Sequence, residues 1–210
     1  MELRDENCEM PSNKAKPPVV NLPNLLSCFR LALVPALVWL AWNGWSQLFL
    51  ACFIGSLATD FLDGFLARTL KQASERGAEL DSWADFATTL ATPLCAWWLW
   101  PEVIRREACF VIAGLGSYSA AVLFGLAKYR RLTSYHTWAS KTTAVLMGLA
   151  VPILLLRGPA WPFQWATAVL VTAELEEIAI TALLPGWRAN VPSFRHAWKL
   201  GREAKSTPLK

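Results

Sequence analysis

Six long apolar stretches follow one another along this chain, at roughly 25–43, 46–66, 82–100, 108–127, 138–156 and 162–184. A helix needs about 20 mainly apolar residues to cross a bilayer, and each stretch meets or approaches that length. Short polar connections separate them: Asn43-Gly44, the stretch 68–81, Pro101-Glu102, residues 128–136, and Gly158-Pro159. The expected fold is therefore an all-α integral membrane protein, a bundle of six transmembrane helices. Of the 210 residues 54% are hydrophobic and only 17% charged, less charge than a soluble domain of this length carries. Twelve tryptophans exceed what a soluble core uses, and Trp is favoured at membrane–water interfaces. Trp42, Trp45, Trp97, Trp98, Trp100 and Trp161 are expected to form a belt on one side.

Lys and Arg mark the other side. With six spans the two termini share a face of the membrane. That face receives Arg4, Lys14, Lys16, Arg68, Lys71, Arg76, Lys128, Arg130, Arg131, Arg188, Arg195, Lys199, Arg202, Lys205 and Lys210. The opposite face receives only Arg105, Arg106 and Arg157. Positive charge is retained in the cytoplasm, so both termini are expected there, and a bacterial inner membrane is the expected location. The net charge of +4 suits anionic lipid headgroups, and with these apolar runs no nucleic-acid partner is expected. Residues 1–20 form a polar tail without the apolar centre of a secretory signal. Insertion is then expected to use the first span, within a membrane domain over 21–186 followed by a basic tail over 187–210. Residues 21–30 mix polar and apolar side chains and are expected as a short N-terminal interfacial amphipathic helix. The five cysteines show no metal or disulfide spacing and read as small apolar residues.

The chemistry lies where the second and third spans meet their connection. Asp60-Phe-Leu-Asp63-Gly64-Phe-Leu-Ala67-Arg68 is followed, eight residues on, by Gly77-Ala-Glu-Leu-Asp81-Ser-Trp-Ala-Asp85. Asp60 and Asp63 are three apart and share one helix face; Asp81 and Asp85 are four apart and share another. The short linker makes the two helices antiparallel neighbours and brings four carboxylates to the cytoplasmic end. Four such groups repel and raise one another's pKa, and intramembrane acids are costly unless neutralised. Such hard oxygen ligands select Mg²⁺, Mn²⁺ or Ca²⁺ over soft metals, and two divalent ions balance the charge and suit displacement at phosphorus; Mg²⁺ or Mn²⁺ is the expected pair. Gly64 allows a phosphate or nucleotide to approach the backbone, and Arg68 offers phosphate a bidentate fork.

This pattern, Asp-x-x-Asp-Gly-x-x-Ala-Arg, eight residues, Gly-x-x-x-Asp-x-x-x-Asp, resembles the signature of the CDP-alcohol phosphatidyltransferases at every fixed position. Asn21-Leu-Pro-Asn-Leu-Leu-Ser-Cys-Phe-Arg30 is similar to the start of that family's first helix. The resemblance implies six helices around a polar cavity open to the cytoplasm. It implies that Asp60, Asp63 and Asp81 ligate one metal, that Asp60, Asp81 and Asp85 face the second, and that Asp85 is the general base. Asp63, Gly64 and Arg68 would contact the CDP moiety. An acceptor hydroxyl would attack the β-phosphorus of CDP-diacylglycerol, and CMP would leave. The substrates are then a CDP-linked lipid and a small alcohol, and a homodimer is compatible with such a chain.

Further residues are candidates for the acceptor or the cavity. Lys141 opens the fifth span and either faces the cavity or snorkels at the membrane edge. Arg130 and Arg131 can bind an acceptor phosphate, although the positive-inside bias alone explains them. Glu174 and Glu177 are three apart within the sixth apolar run, and at least one is expected to point into the cavity. Glycerol 3-phosphate is the favoured acceptor. The alternative is a phosphatidylserine-synthase-like or other acceptor, inositol-type or amino alcohol: Ser82 and Phe86 stand where phosphatidylglycerophosphate synthases carry Pro and Lys. A transporter using the acidic cluster is the reading from a different class, and the absence of an internal repeat speaks against it.

Overall fold

In the computed structural model the backbone is described for residues 22–70, 75–130, 137–184 and 197–198, and side chains for 28–59, 82–130, 137–184 and 197–198. Every regular element among the described residues is helical: α1 (Leu22–Trp42), α2 (Ser46–Leu70), α3 (Glu75–Leu99), α4 (Pro101–Arg106), α5 (Ala108–Tyr129), α6 (Trp138–Leu155) and α7 (Trp161–Leu183). The six long helices coincide with the six apolar stretches. The short α4 occupies what the sequence presents as a turn at Pro101-Glu102, because proline fits the first helical position, where its missing N–H is not needed. Two helices, Ala108–Tyr129 and Trp138–Leu155, are by themselves long and apolar enough to cross a membrane, and shorter apolar runs occupy Cys28–Trp42 and Ser46–Thr59.

One expectation is corrected. Residues 22–30 are not a separate interfacial helix but the first turns of α1, continuous with the apolar turns that follow. Pro23 sits at the helix start, where it is tolerated, and no breaker occurs between it and Pro35.

The connections follow from backbone chemistry. After α1 the Gly44 N–H donates to the Ala41 carbonyl (3.1 Å) and the Trp45 N–H to that of Leu40 (3.0 Å). This paired closure needs a left-handed residue, and Gly44 supplies φ 73°. The same closure ends α6, with Arg157 N–H on Leu154 (3.1 Å) and Gly158 N–H on Ile153 (2.9 Å), but there the left-handed residue is Arg157 at φ 61°.

Two packing units result. α1 lies against both α2 and α3, so it, rather than a direct α2–α3 seam, makes most of the packing in the first half. Leu37, Leu40, Ala41, Phe49, Phe53, Cys95 and Ala96 fill that unit. α7 lies against both α5 and α6. Gly114, Tyr118, Ala121 and Gly125 recur on one face of α5, and its small members let α7 approach: a Cβ on Gly114 would meet Leu170 Cδ2 at 3.3 Å and Thr167 Cγ2 at 3.4 Å. At the far end Lys128 Nζ donates to the Thr181 and Ala182 carbonyls (2.7 and 3.1 Å), and the Tyr129 hydroxyl to those of Thr181 and Leu184 (3.1 and 2.8 Å). These bonds satisfy the carbonyls that a helix end leaves open and place a cation at its negative pole.

The outward surface is apolar, with Leu48, Ile112, Leu123, Leu149, Trp161 and Trp165 exposed, as lipid contact requires. Trp42 and Trp98 meet edge to face at 5.2 Å, and Arg105 lies 5.6 Å from the Trp97 ring centroid. Trp100 departs from the expected belt: it packs inward, 6.0 Å from Phe49. Among the described residues Cys95 is the one fully buried cysteine; Cys28 and Cys109 are exposed.

Candidate functional site

The motif falls on two helices. α2 continues through Asp60, Asp63, Gly64, Ala67 and Arg68, so these recur at three- and four-residue steps on one face. α3 begins before Gly77 and carries Asp81 and Asp85 one turn apart. The side chains of Asp60, Asp63, Arg68 and Asp81 lie outside the described residues, as does Arg131.

Asp85 is described, and an unexpected partner meets it. Arg30 of α1 donates from Nη1 to Asp85 Oδ1 at 2.9 Å. The Arg30 side chain is 5% exposed and that of Asp85 53%. The cation is thus held inside the α1–α3 packing while the carboxylate opens toward solvent. A charge-assisted bond of this length restricts the Asp85 rotamer. The sequence signal for Arg30 is its place within an apolar run, where ionisable residues default to function; its partner could not be read from spacing.

A second group of residues joins Asp85 from the other packing unit. Thr89 lies one turn beyond Asp85 on α3 and stands near Tyr118 of α5. The Tyr118 ring stacks on Phe86, with centroids 6.3 Å apart. Its hydroxyl stands within electrostatic range of Asp85, Glu174 and Glu177. Glu174 is buried on the inward face of α7, and Glu177 interacts with it from the next turn. The structure therefore brings Asp85, Glu174 and Glu177 into one neighbourhood and adds Thr89 and Tyr118, which the sequence did not single out. Tyr118 recurs with the small residues of α5, which is the signal that would have found it.

The other candidates stand apart. Lys141 is exposed on the first turn of α6, its ammonium 5.6 Å from the Trp138 ring centroid. Arg130 caps α5 with φ 54°. A further buried acid, Glu107, accepts from Arg106 Nε and Gln164 Nε2, both at 2.9 Å. It precedes α5, whereas Tyr118 stands three turns further along that helix, so it ties α4, α5 and α7 together rather than joining the Asp85 group. Among the described residues no three His, Cys, Asp or Glu side chains are placed to hold a metal; three of the four expected ligands lie outside them.

The sequence model of the CDP-alcohol phosphatidyltransferase family matches residues 20–173, which contain the whole motif. A CDP-diacylglycerol–glycerol-3-phosphate 3-phosphatidyltransferase of Pseudomonas fluorescens is 32% identical over 154 residues, 69% of this chain and 76% of the relative. An enzyme of the same name from Aquifex aeolicus is 30% identical over 171 residues, 80% of this chain and 92% of the relative. A CMP-forming cardiolipin synthase of Streptomyces coelicolor is 36% identical over 110 residues, 45% of this chain and half of the relative. No solved structure matches.

Proposed function

The chain belongs to the CDP-alcohol phosphatidyltransferases, enzymes of phospholipid synthesis, and we propose that it transfers a phosphatidyl group from CDP-diacylglycerol to glycerol 3-phosphate with release of CMP. The observation that carries this reading is the complete Asp60–Asp85 motif within the matched region, on two helices packed against the same α1. The glycerol 3-phosphate acceptor is supported by the names of the relatives that cover most of the chain.

Asp60, Asp63, Asp81 and Asp85 would hold two divalent ions, Mg²⁺ or Mn²⁺. The donor set fits: all four are hard carboxylates, paired on common faces of α2 and α3. Such ions, when bound, neutralise these carboxylates and polarise phosphate oxygens. The chain's own residues bind and orient. Arg68 grips phosphate by its fork, and Gly64 lets the CDP moiety reach the α2 backbone. Asp85 takes the proton of the acceptor hydroxyl at its carboxylate, since a hydroxyl attacks poorly until its proton has an acceptor. Arg30 holds Asp85 in place. Catalysis is then mainly positioning and charge neutralisation.

In the membrane the six long helices are read as six spans, with the Asp60–Asp85 end and both termini in the cytoplasm. Residues 1–20 and 187–210 would be cytoplasmic tails flanking the membrane domain. A homodimer belongs to the same proposal and is checked by crosslinking in the membrane. The deciding experiment supplies purified protein with labelled CDP-diacylglycerol and a panel of alcohols. CMP release with glycerol 3-phosphate should stop with chelator and return with Mg²⁺ or Mn²⁺. Full activity in chelator would remove the two-metal mechanism, and transfer only to serine or inositol would remove the acceptor assignment.

A further inference from the structure

The lipid-facing side of α3 carries a groove that the motif chemistry leaves unused. It runs from Trp83 to Leu94, with Leu31 of α1 as its other wall, around a cavity of about 540 Å³. Its α3 side chains recur every three or four residues, so the groove follows the helix axis, and every one of them is apolar. Ala87 and Ala91, four apart, are the small members that leave its depth. Aromatic packing fixes the mouth. Trp83 meets Phe86 edge to face with centroids 6.0 Å apart, and Phe86 stacks on Tyr118 at 6.3 Å. That mouth adjoins the motif. Trp83 and Phe86 flank Asp85 in the chain, and Leu31 follows Arg30, whose guanidinium meets Asp85 at 2.9 Å.

We propose that this groove binds one acyl chain of the CDP-linked lipid, so that the donor is selected by its hydrocarbon chain as well as by its nucleotide. The inference rests on the phosphatidyl-transfer reading and adds a chain subsite, with Ala91 as a specificity-determining residue. Size decides what fits. Trp83 and Leu94 are eleven residues apart, or ~16 Å at the rise of a helix. That is about half of a ~30 Å hydrocarbon core, the depth of one leaflet. A lipid chain spans one leaflet, whereas a helix of a second copy crosses both. The volume spread over that length leaves a cross-section of roughly 30 Å², against ~80 Å² for a helix about 10 Å across. Position decides which lipid. Within a bilayer a chain gains no hydrophobic free energy by leaving its neighbours, so the groove offers packing alone. Because the groove opens at the motif, a chain lying in it sets its headgroup there. A lipid with another headgroup gains only the packing, and the CDP-linked lipid gains the motif contacts as well.

The test uses the full chain in mixed micelles and reads CMP release from dipalmitoyl and dihexanoyl CDP-diacylglycerol. The wild type should use the long-chain donor about tenfold better in kcat/KM, the size of some ten carbon–carbon contacts. Ala91→Leu, which fills the groove beyond its mouth, should raise the long-chain KM by about that factor and bring the long-to-short ratio near one. A second measurement does not depend on turnover. A dipalmitoyl donor with a diazirine midway along one chain should label the α3 peptide 87–94. Excess CDP-diacylglycerol should suppress that label, and phosphatidylcholine should not. An unchanged long-to-short ratio in Ala91→Leu overturns the inference, as does label outside α3 or label that phosphatidylcholine suppresses equally. So does a disulfide between two protein copies at Leu90→Cys that persists in saturating CDP-lipid, which would put a second copy in the groove. If Ala91→Leu does not fold, the labelling decides alone. If neither donor releases CMP with any alcohol, the transfer reading fails, and the labelling still shows whether the groove holds the chain.

Discussion

The Arg30–Asp85 pair yields a prediction whose size follows from its geometry. A hydrogen bond to a charged group contributes about 1.5–3 kcal/mol. Here the donor is buried but the acceptor is 53% exposed, so solvent screens the carboxylate and the contribution falls to roughly half, ~0.8–1.5 kcal/mol. Arg30→Gln and Asp85→Asn keep shape and remove charge, and a double-mutant cycle isolates their interaction from whatever else each side chain touches. The expected coupling is ~1 kcal/mol, measured as unfolding free energies of the four proteins by denaturant titration in detergent. Arg30→Lys should retain part of it, because an ammonium supplies the charge but not the planar fork. Turnover reports the same link: if Arg30 orients Asp85, Arg30→Gln lowers kcat by about 5- to 10-fold at nearly constant CDP-lipid KM. Single-mutant effects that add to within 0.5 kcal/mol, roughly the limit of additivity for independent sites, would show that the 2.9 Å contact carries no coupling. The orienting role would then have to be abandoned.

Other outcomes follow from particular residues. Asp85→Asn should bind CDP-lipid but lose about 10²-fold or more in turnover, the scale for removing a general base; normal turnover would make Asp85 a bystander. Arg68→Lys should raise the CDP-lipid KM with little change in kcat, since a point charge replaces a bidentate fork; an unchanged KM would separate Arg68 from the CDP site. Gly158→Ala should destabilise the α6–α7 turn by roughly 1–3 kcal/mol, because its Cβ would lie 2.7 Å from Ile153 Cγ2 and 2.8 Å from the Ile153 carbonyl. Arg157→Gly, at φ 61°, should instead stabilise the same turn by up to about 1 kcal/mol; melting curves of the two variants moving in the same direction would refute this account. Tags at either terminus should be reached by impermeant reagents only after the cells are opened, and labelling of intact cells would overturn the six-span orientation.

What the sequence by itself determined is local in origin. Helix position follows from runs of apolar residues and their breakers, so the six long helices cover the six stretches; the short α4, the continuity of α1 through residues 22–30, and the extension of α2 and α3 into the polar stretch 68–81 differ. The spacing of the aspartates on α2 and α3 is a property of helical repeat and chain order, legible without any partner, and with it came the family. The tertiary structure decided which faces meet, because many pairings of apolar helices bury similar area and small differences in side-chain shape select among them. Gly114, Ala121 and Gly125 open α5 to α7, which buries Glu174 and brings Tyr118 to Thr89. α1, packed against α3, carries Arg30 across 55 residues of sequence to Asp85. Such contacts join side chains remote in the chain, and no periodicity within a single helix encodes its partner.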